Sequence, residues 1–509
     1  MIPGSDLVDL SRLQFALTAL YHFLFVPLTL GLSLILAIME TIYVMTGRDI
    51  WRQMVKYWGM LFGINFVLGV ATGLTMEFQF GTNWAYYSHY VGDVFGVPLA
   101  IEGIMAFFLE ATFVGLFFFG WDKLSRVQHM CCTWLLALGT NLSALWILIA
   151  NGWMQNPVGA EFNFHTMRME VTNFATVMFN PVAQAKFVHT ISAGYVTGSM
   201  FVLSISAYFL LRRRNLKFAK RSMTVAVSFG LASALAVVVL GDESGHLDYN
   251  NQKMKFAAIE ALWHSGKTPA ALTLIGLPNE QTMTTDYAIE IPYALGLIAT
   301  RSFSQPLDGI AELIAEGKEH IKEGMLAYEA LTRLQKDPND EQAKADFSAH
   351  NAFLGYGLLL KKYTEKVVDA NEEQIDQAAH DLKPRVAPLF FAFRIMVGCG
   401  FFFILLFAVG FYLSAKRKLH TSRWYLHAAF WALPLPWLAA ELGWVVAEYG
   451  RQPWVVQGIL PTMMGTSSVS TTQVLTSISG FVLFYSTLAV VEVYLMVKYI
   501  RLGPDNLAH

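Results

Sequence analysis

Ionisable side chains interrupt several long apolar runs of this 509-residue sequence. An ionised Arg, Lys or Asp at the middle of a membrane helix costs about 2.5–3.5 kcal/mol on insertion scales, so such residues indicate function by default. Carboxylates can relay protons through hydrocarbon, and isolated histidine and methionine side chains can ligate haem iron. The residue types therefore predict proton transfer, haem binding or both. The candidates within apolar runs are His22, Glu40, Glu77, Glu102, Glu110, His189, Arg394, Met396, Glu441 and Glu448.

The spacing of the carboxylates adds geometry to this interpretation. Glu441, Trp444 and Glu448 follow one another at i, i+3 and i+7, which places them on one stripe of a helix. Glu102 and Glu110 are eight residues apart and would lie about 12 Å apart in depth, on one broad side of a helix. Glu102 and Glu110 therefore have the arrangement that a proton relay needs. The role of Glu441 stays open.

The composition shows which elements must position these residues. Only 15% of the residues are charged and 55% are hydrophobic, with a mean hydropathy of +0.43, whereas a soluble chain carries about 25% charged residues. Runs of twenty or more nearly uncharged residues are typical of transmembrane helices. We predict an all-α polytopic membrane protein with nine spans, roughly at 14–45, 57–81, 93–121, 128–150, 184–211, 222–241, 386–415, 424–446 and 470–497.

A polar stretch, 242–385, separates the sixth span from the seventh. The chain is thus predicted to consist of spans one to six (1–241), a folded extramembrane insert (242–385) and spans seven to nine (386–509). The three cysteines all lie in apolar runs and are too few for a four-thiolate cluster or a disulfide framework. No basic tract suggests nucleic acid as a partner.

Lys and Arg residues predict the orientation in the membrane. The connections that follow the odd-numbered spans are basic, and the connection 81–93 contains neither residue. By the positive-inside rule the N-terminus and the insert lie outside and the C-terminus lies in the cytoplasm. In this orientation the ionisable groups gather in the outer half of the membrane. The basic connections are 48–56, 123–126, 212–221, 416–423 and 498–501.

Several classes of protein can be weighed on these residues. A proton-coupled transporter would use the glutamates, but the inverted repeats and broken helices typical of such proteins are not recognisable in the sequence. A copper–haem oxidase needs a cluster of histidines within its spans, and only His22 and His189 are well placed. A membrane haem protein accounts for carboxylates together with isolated His and Met. A non-catalytic partner of an oxidase, and a packing role for Met396 among 21 methionines, stay open at this level.

Seven stretches of the sequence resemble subunit I of cytochrome bd-type quinol oxidases, and the resemblance runs from about residue 5 to about residue 505. It implies nine helices in two four-helix bundles plus one peripheral helix. The insert then corresponds to the quinol-binding loop (Q loop) of the long-loop subgroup. The stretches are SRLQFALTALYHFLFVPLTLG (11–31), GINFVLGVATGLTMEFQFGTNW (63–84), PLAIEGIMAFFLEATFVGLFFFGW (98–121), NLSALWILIANGWMQNP (141–157), KFVHTISAGYVTG (186–198), FFAFRIMVGCG (390–400) and GWVVAEYGRQPW (443–454).

The resemblance also implies the ligands of three haems. His189 in KFVHT and Met396 in FRIMVG match the axial pair of a low-spin haem b. His22 in LYHFLF and Glu448 in AEYGRQPW match the single protein ligands of two high-spin haems, one a haem b and the other a haem d or a haem b in its place. Which of these two ligands serves which haem is left undecided. A single protein ligand leaves an open face on the iron, as oxygen binding requires.

Further residues are implied around those haems. Glu102 in IEGIM matches a carboxylate beside the oxygen-reducing haem, and Glu110 in FLEAT matches the proton route that leads to it. Ala111 departs from relatives that have a small hydroxyl residue there, so a water molecule or Ser143 would substitute. Arginines at three positions match groups that pair with haem propionates or favour the reduced haem, and one tryptophan matches an aromatic between haems. These four residues are Arg12, Arg394, Arg451 and Trp444.

Residues near the start of the insert match the quinol site. Lys255 and Glu260 in QKMKFAAIEAL match residues implicated in quinol oxidation, and Asp242 in GDESG is a candidate proton acceptor. The expected function is therefore that of a terminal respiratory oxidase in the bacterial cytoplasmic membrane. It would oxidise ubiquinol or menaquinol outside and reduce O2 to water with cytoplasmic protons, generating proton motive force without pumping. The implied partners are a second large subunit (subunit II) and small single-span accessory subunits.

Overall fold

The structure is a computed structural model that describes residues 5–266 and 270–507. Within these ranges nine helical segments are long and apolar enough to cross a membrane, which confirms the predicted all-α, nine-span fold class. The ends of the predicted first and last segments, 1–4 and 508–509, lie outside the described residues. The spans are α1 (Asp6–Thr46), α2 (Asp49–Thr82), α3 (Ala85–Phe119), α4 (Arg126–Gln155), α5 (Phe174–Leu211), α6 (Leu216–Asn251), α7 (Val386–Ala415), α8 (Arg423–Tyr449) and α9 (Thr471–Leu502).

Several helices extend beyond the apolar runs that predicted them. α6 continues to Asn251, so the segment boundary placed at 241/242 falls inside a helix. α3 begins at Ala85 rather than near 93, and only Asn83 and Trp84 separate it from α2. Backbone hydrogen bonds continue along a helix into water, whereas hydropathy detects only the part that lies in hydrocarbon. The sequence therefore underestimates the length of these spans.

The spans form two bundles. α1 contacts α2 and α4, and α3 contacts α4; α5 contacts α6 and α8, and α7 contacts both of those helices. The bundles join where α1 and α4 pack against α5. A Cβ atom on Gly198 of α5 would lie 2.6 Å from the Cα atom of Gly31 of α1, and small residues of this kind allow close backbone contact between membrane helices. α9 packs on α1 and α2 and is the most peripheral span.

Three spans lose regular α geometry beside predicted site residues. α1 is interrupted at Leu24–Phe25, directly after His22. α3 contains the π segment Glu102–Phe107, and α8 ends in the π segment Val445–Tyr449. Such π segments are rare and frequently occur at functional sites, and each of these two carries one of the predicted carboxylates. The uniform α-helical spacing expected along α3 and α8 is therefore wrong locally.

The insert between α6 and α7 is a folded unit in the part of the chain described. Its longest helix, Ile310–Lys336, packs against the three helices that follow it. Three antiparallel hairpins lie in the connections of the described chain and were not predicted. The strands of two of them are short, whereas Ile289 and Ile291 flank Glu290 in β4, an alternation that could have indicated the third. The hairpins are β1–β2 (Ala160–Asn163, Arg168–Val171), β3–β4 (Leu272–Asn279, Thr284–Ile291) and β5–β6 (Trp454–Val456, Leu460–Pro461). The other helices of the insert are Lys253–Glu260, Ala294–Thr300, Glu341–His350, Leu354–Leu359 and Glu372–His380, with 3-10 turns at Asn351–Phe353, Leu360–Lys362 and Val367–Asp369.

Candidate functional site

An internal cavity of about 790 Å³ lies between the bundle of α1–α4 and the C-terminal end of α8. Its volume is in the range of sites that enclose small molecules and cofactors. A groove of similar volume along the lipid-facing side of α9 is lined by apolar residues, one lysine and one arginine, without a histidine or carboxylate. The internal cavity therefore holds the candidate chemistry. Its ionisable and aromatic lining includes Arg12, His22, Glu77, Glu102, Glu110, Trp444, Glu448 and Arg451.

His22 is oriented by a hydrogen bond at one ring nitrogen. Its Nδ1 atom lies 2.9 Å from the hydroxyl of Thr72, and that hydroxyl donates to the carbonyl of Leu68 at 2.8 Å. Since the hydroxyl proton is used there, the Thr72 oxygen accepts from Nδ1–H, and Nε2 keeps its lone pair for a metal. Gly73 leaves the space beside the ring, because a Cβ atom there would lie 3.1 Å from Cε1 of His22.

Glu448 is held by side chains from four other positions. Its Oε1 atom accepts hydrogen bonds from Asn151 at 3.0 Å and Gln155 at 3.1 Å, and it lies 3.5 Å from Nζ of Lys186. Its Oε2 atom pairs with Arg451. Asn151 and Gln155 are one turn apart on α4 and were not predicted, although their i, i+4 spacing inside an apolar run is a signal that could have found them.

The guanidinium of Arg451 has N–H groups that form no hydrogen bond within the described residues. Its side chain is buried, and its Nε and Nη1 atoms have no hydrogen-bond partner among the described residues. A buried guanidinium with unpaired N–H groups is costly unless an acceptor is bound there. An anionic group in the cavity would supply that acceptor.

Glu102 and Glu110 line the same cavity at different depths. Glu102 accepts a hydrogen bond from Ser143 at 2.6 Å, while Glu110 is buried against α4. At that contact a Cβ atom on Gly139 would lie 3.1 Å from Cα of Glu110. The structure thus brings both predicted carboxylates to one cavity, and it places Ser143 on Glu102.

His189 and Met396 lie on α5 and α7, outside this cavity. A Cβ atom on Gly241 would lie 3.3 Å from Cε1 of His189, and one on Gly443 would lie 3.2 Å from Sδ of Met396. The buried Nδ1 atom of His189 has no hydrogen-bond partner within the described ranges. Each potential ligand therefore faces a glycine, which leaves room beside its donor atom.

Arg394 binds the insert. It donates to Glu260 at 2.9 Å, to the carbonyl of Ile259 at 2.9 Å and to the carbonyl of Thr273 at 2.7 and 3.0 Å. The pKa of Glu260 is raised above its ordinary value, because burial of the carboxyl outweighs the charge and hydrogen bond of Arg394. Arg394, which was predicted to act at a haem, and Glu260, which was predicted to act at the quinol site, are thus direct hydrogen-bond partners.

The remaining predicted residues have other partners. Lys255 is buried and donates to Asp248 at 2.9 Å and to Gln252 at 3.1 Å. Asp242 forms an exposed ion pair with Arg301 at 2.6 Å. Asp248 was not predicted, because a single aspartate on a polar helix end carries no signal of its own.

Arg12 and Glu441 complete the set of predicted residues. Arg12 lines the cavity and pairs with Asp9 of its own helix at 3.2 Å. Both carboxylate oxygens of Glu441 are buried and have no hydrogen-bond partner in the described part of the chain.

A buried polar cluster connects the C-terminal end of α1 to the N-terminal end of α4. Nδ1 of His129 lies 2.5 Å from Oε1 of Glu40, and Thr133 donates to Oε2 of Glu40 at 2.5 Å. The Nε2 atom of His129 bonds the carbonyl of Phe117 on α3 at 2.9 Å. Glu40 is an in-span carboxylate that is fully satisfied by protein groups, and it lies outside the cavity lining.

The nine spans of the described residues and the internal cavity with its ionisable side chains define the class: a multi-pass membrane protein. A family profile described as "Cytochrome bd terminal oxidase subunit I" matches residues 10–504. The chain is 50% identical over 500 residues to "Cytochrome bd-II ubiquinol oxidase subunit 1" of Escherichia coli (strain K12), covering 98% of this chain and 97% of that protein. It is 37% identical over 506 residues to "Cytochrome bd ubiquinol oxidase subunit 1" of Bacillus subtilis (strain 168), covering 99% and 96%.

A solved structure agrees with these sequence matches. The bd oxidase from Geobacillus thermodenitrificans superimposes with a TM-score of 0.79 at 25% identity, over 99% of this chain and 100% of that one. The chain belongs to the family of cytochrome bd terminal oxidase subunit I. The predicted family and enzyme class are therefore confirmed. Membership implies haem cofactors and a complex of more than one subunit.

The described residues fit a haem group. The cavity offers a histidine with a free Nε2 lone pair, space created by Gly73 and unpaired donors on Arg451. Haem iron accepts histidine ligands, and the unpaired donors suit propionates. Glu448 lies on the same cavity, with both carboxylate oxygens bonded to protein groups.

Proposed function

We propose that this chain is the haem-bearing subunit of a quinol:O2 oxidoreductase of the long-Q-loop subgroup. The observation that carries the proposal is the convergence of His22, Glu102, Glu110 and Glu448 on one cavity. Both relatives of higher identity are named ubiquinol oxidases, and a relative 28% identical over 311 residues is named a putative menaquinol oxidase. We propose ubiquinol as the quinol.

The ligands follow from donor chemistry together with the family resemblance. His189 and Met396 would hold a low-spin haem b; His22 and Glu448 would each hold one of two high-spin haems, a haem b and a haem d or a haem b in its place. When bound, these groups supply one-electron transfer and an open iron face for O2. Thr72 fixes the tautomer of His22, and Asn151, Gln155 and Lys186 orient Glu448.

Proton delivery falls to the carboxylates of α3. Glu110 receives protons from the cytoplasmic side and Glu102 releases them into the cavity, where water is formed. The hydrogen bond from Ser143 holds the Glu102 carboxyl on the cavity wall. Arg451, Arg12 and Trp444 line the same space. Arg451 would offer its unpaired donors to propionates, and Trp444 would be the aromatic between haems that the resemblance implies.

Quinol oxidation belongs to the insert and its junction with α7. Lys255 and Glu260 are buried polar groups that would bind the quinol hydroxyls. A carboxylate whose pKa is raised above its ordinary value is a stronger base than an ordinary glutamate, which suits Glu260 to accept a quinol proton. Arg394 positions Glu260, and Asp248 positions Lys255. Asp242 would pass protons to water at the exposed edge.

The chain would act in the bacterial cytoplasmic membrane with its N-terminus outside and its C-terminus in the cytoplasm. We assign the part of spans one to six that lies in the membrane to 1–241, the Q loop to 242–385 and spans seven to nine to 386–509; the Q loop then begins with the last turns of α6, which ends at Asn251. Quinol protons released outside and oxygen-reducing protons taken from the cytoplasm would generate proton motive force without pumping. The partners are a second large subunit (subunit II) and small single-span subunits.

A reduced-minus-oxidised absorption spectrum of the purified complex tests the proposal. The wild-type complex should show haem bands, His22→Ala should delete a high-spin component, and Met396→Leu should alter the low-spin band instead. His420→Ala, at an exposed histidine, is the matched control and should leave every band unchanged. A wild-type complex without haem bands would contradict the proposal and favour a transporter or a non-catalytic partner.

A further inference from the structure

The β3–β4 hairpin of the insert has one apolar face. Ile275 pairs with Ile289, and Leu272 pairs with Ile291. Since Ile289 and Ile291 are two residues apart, they and their partners point to the same side. The irregularity between Thr273 and Ile275 keeps both β3 residues in phase, and a second irregularity, between Ile275 and Leu277, leaves Tyr287 at a bulge with a φ of 52°. We call the four side chains of Leu272, Ile275, Ile289 and Ile291 the hairpin's apolar face.

Most of that face is uncovered by the rest of the chain as described: Ile275 is 63% exposed, Ile289 58% and Ile291 42%, while Leu272 packs against the insert. Glu290, which pairs with Thr273, lies on the opposite side, so this part of the hairpin is amphipathic rather than uniformly apolar. A contiguous exposed apolar face of this kind marks an interaction surface. Three candidate occupants exist: lipid, another protein and none.

The depth of the hairpin relative to the membrane distinguishes among these three possibilities. Arg394 donates two hydrogen bonds to the carbonyl of Thr273, at the base of β3. Arg394 lies 21 residues before Ala415, the end of α7, which is followed by the basic residues 416–418. At 1.5 Å per residue this is about 32 Å, close to the roughly 30 Å thickness of a hydrocarbon core. Thr273 therefore lies at the boundary between hydrocarbon and headgroups.

The tip of the hairpin lies farther from the hydrocarbon. Glu280, beside the turn, accepts from the backbone N–H of Val386 at 3.0 Å and from Lys383 at 2.8 Å, at the very start of α7. The strands thus run alongside the first two turns of α7, from the boundary outward through the headgroup layer. This layer adds only about 5–8 Å on each side of the core.

Apolar side chains are also exposed on α7 near the base of the hairpin. Phe391 and Ile395 flank Arg394 on α7 and are 40% and 48% exposed. Side chains at this level of a spanning helix face lipid or a membrane partner. Tyr287 lies nearer the tip, and tyrosine is enriched at the membrane interface.

We propose that the hairpin's apolar face rests in the bilayer, in the leaflet on the side of the insert, at the level where acyl chains meet headgroups. The hairpin is then a membrane anchor of the insert, and α7 and the hairpin present one continuous surface to lipid. This contact is independent of the quinol chemistry proposed above, because it depends only on α7 crossing the membrane.

Fluorophore quenching in lipid nanodiscs tests the proposal on the purified complex. In a background with Cys131, Cys132 and Cys399 replaced by serine, single cysteines at Ile275 and Ile289 carry an environment-sensitive dye. Glu319, a 71% exposed side chain on the helix Ile310–Lys336, provides the matched aqueous control. Each sample is measured with aqueous iodide, with lipids carrying a nitroxide near the glycerol, and with lipids carrying it near the chain end.

We expect the shallow nitroxide lipid to quench the dyes at Ile275 and Ile289 severalfold more strongly than the dye at Glu319, and more strongly than the deep nitroxide lipid does. Iodide should quench the dye at Glu319 more strongly than the dyes at Ile275 and Ile289. Strong iodide quenching at Ile289 would place the face in water, and protection from all three quenchers would place it under another protein; either result overturns the proposal. Tyr287 replaces Ile275 if a dye there prevents assembly, as judged from the haem spectrum.

Discussion

In the proposed mechanism, proton transfer depends on two single carboxylates of α3. Glu110→Gln and Glu102→Gln each remove a group that can gain and lose a proton while keeping its size. The loss of such a group costs on the order of 10²–10⁴-fold in rate, and we expect oxygen consumption with saturating quinol to fall by at least the lower figure. Exposed Glu161→Gln is the control. Full turnover and full membrane potential in both variants would exclude the relay.

The pair formed by Arg394 and Glu260 makes a prediction about pH. Burial raises the pKa of Glu260, and the nearby guanidinium partly offsets that rise. Removing the positive charge in Arg394→Gln raises the pKa further, so less of the carboxylate is available as a base at a given pH. The acid limb of quinol oxidation, measured as kcat/KM, should therefore move to higher pH.

Arg394→Lys keeps the charge and serves as the control for that prediction. Its acid limb should lie nearer to the wild type, although lysine cannot reproduce the several donors of the arginine fork. An unchanged pH profile of kcat/KM in Arg394→Gln would show that Glu260 does not accept the quinol proton.

Between elements, the cluster of Glu40, His129 and Thr133 connects α1 to α4. Removing one partner of a buried ion pair leaves the other uncompensated and costs about 3–5 kcal/mol. We expect Glu40→Leu to lower the temperature at which the complex loses its haem spectrum. The double variant with His129→Leu should be more stable than the sum of the single changes predicts, because no orphaned charge remains. Strict additivity would show that the two side chains do not interact.

The junction of the β3–β4 hairpin with α7 depends on Glu280. Burial pushes its pKa up, but Lys383 and two backbone N–H groups outweigh burial and hold the pKa below its usual range. A depressed folded-state pKa means that the stabilisation is present above the ordinary glutamate pKa and is lost as pH falls through the lower, folded value.

Glu280→Gln should therefore weaken the junction by about 1 kcal/mol, as expected for a lost cap. Faster amide exchange of 284–291 at neutral pH would show it. The difference from wild type should shrink as the wild-type carboxylate becomes protonated, and a difference that is independent of pH would rule out the charge as its cause.

The elements also show what the sequence could predict and what it could not. Nine spans follow from hydropathy alone, because lipid imposes one requirement on every span. The π segments at Glu102–Phe107 and Val445–Tyr449 do not, since a π turn depends on packing rather than on composition. The break at Leu24–Phe25 differs, because Pro27 in the first turn of the next helical stretch is a signal that the sequence carries. Asn151, Gln155 and Lys186 come from two helices and meet at Glu448 only in the folded chain. Arg394 was assigned to haem propionates by resemblance, whereas its hydrogen bonds in this structure go to the insert and to its own helix.

For the whole molecule, the distribution of Lys and Arg predicts the orientation in the membrane. In spheroplasts, a cysteine placed at Glu319 of the insert should react with a membrane-impermeant maleimide. A cysteine placed at Lys416, directly after α7, should react only after the membrane is opened. Both positions are exposed in the structure, so burial in the protein does not decide the result. The opposite pattern would invert every assignment of proton uptake and release.

The π segment at Glu102–Phe107 limits how this chain can vary in length. An exchange of one side chain in the segment leaves the backbone path intact. Deleting one residue would restore an ordinary α turn and rotate everything on one side of it by about 100° relative to the other. Glu102 and Glu110 would then no longer face the same space. Among relatives that keep this chemistry, we expect the segment to tolerate changes of residue and to exclude changes of length.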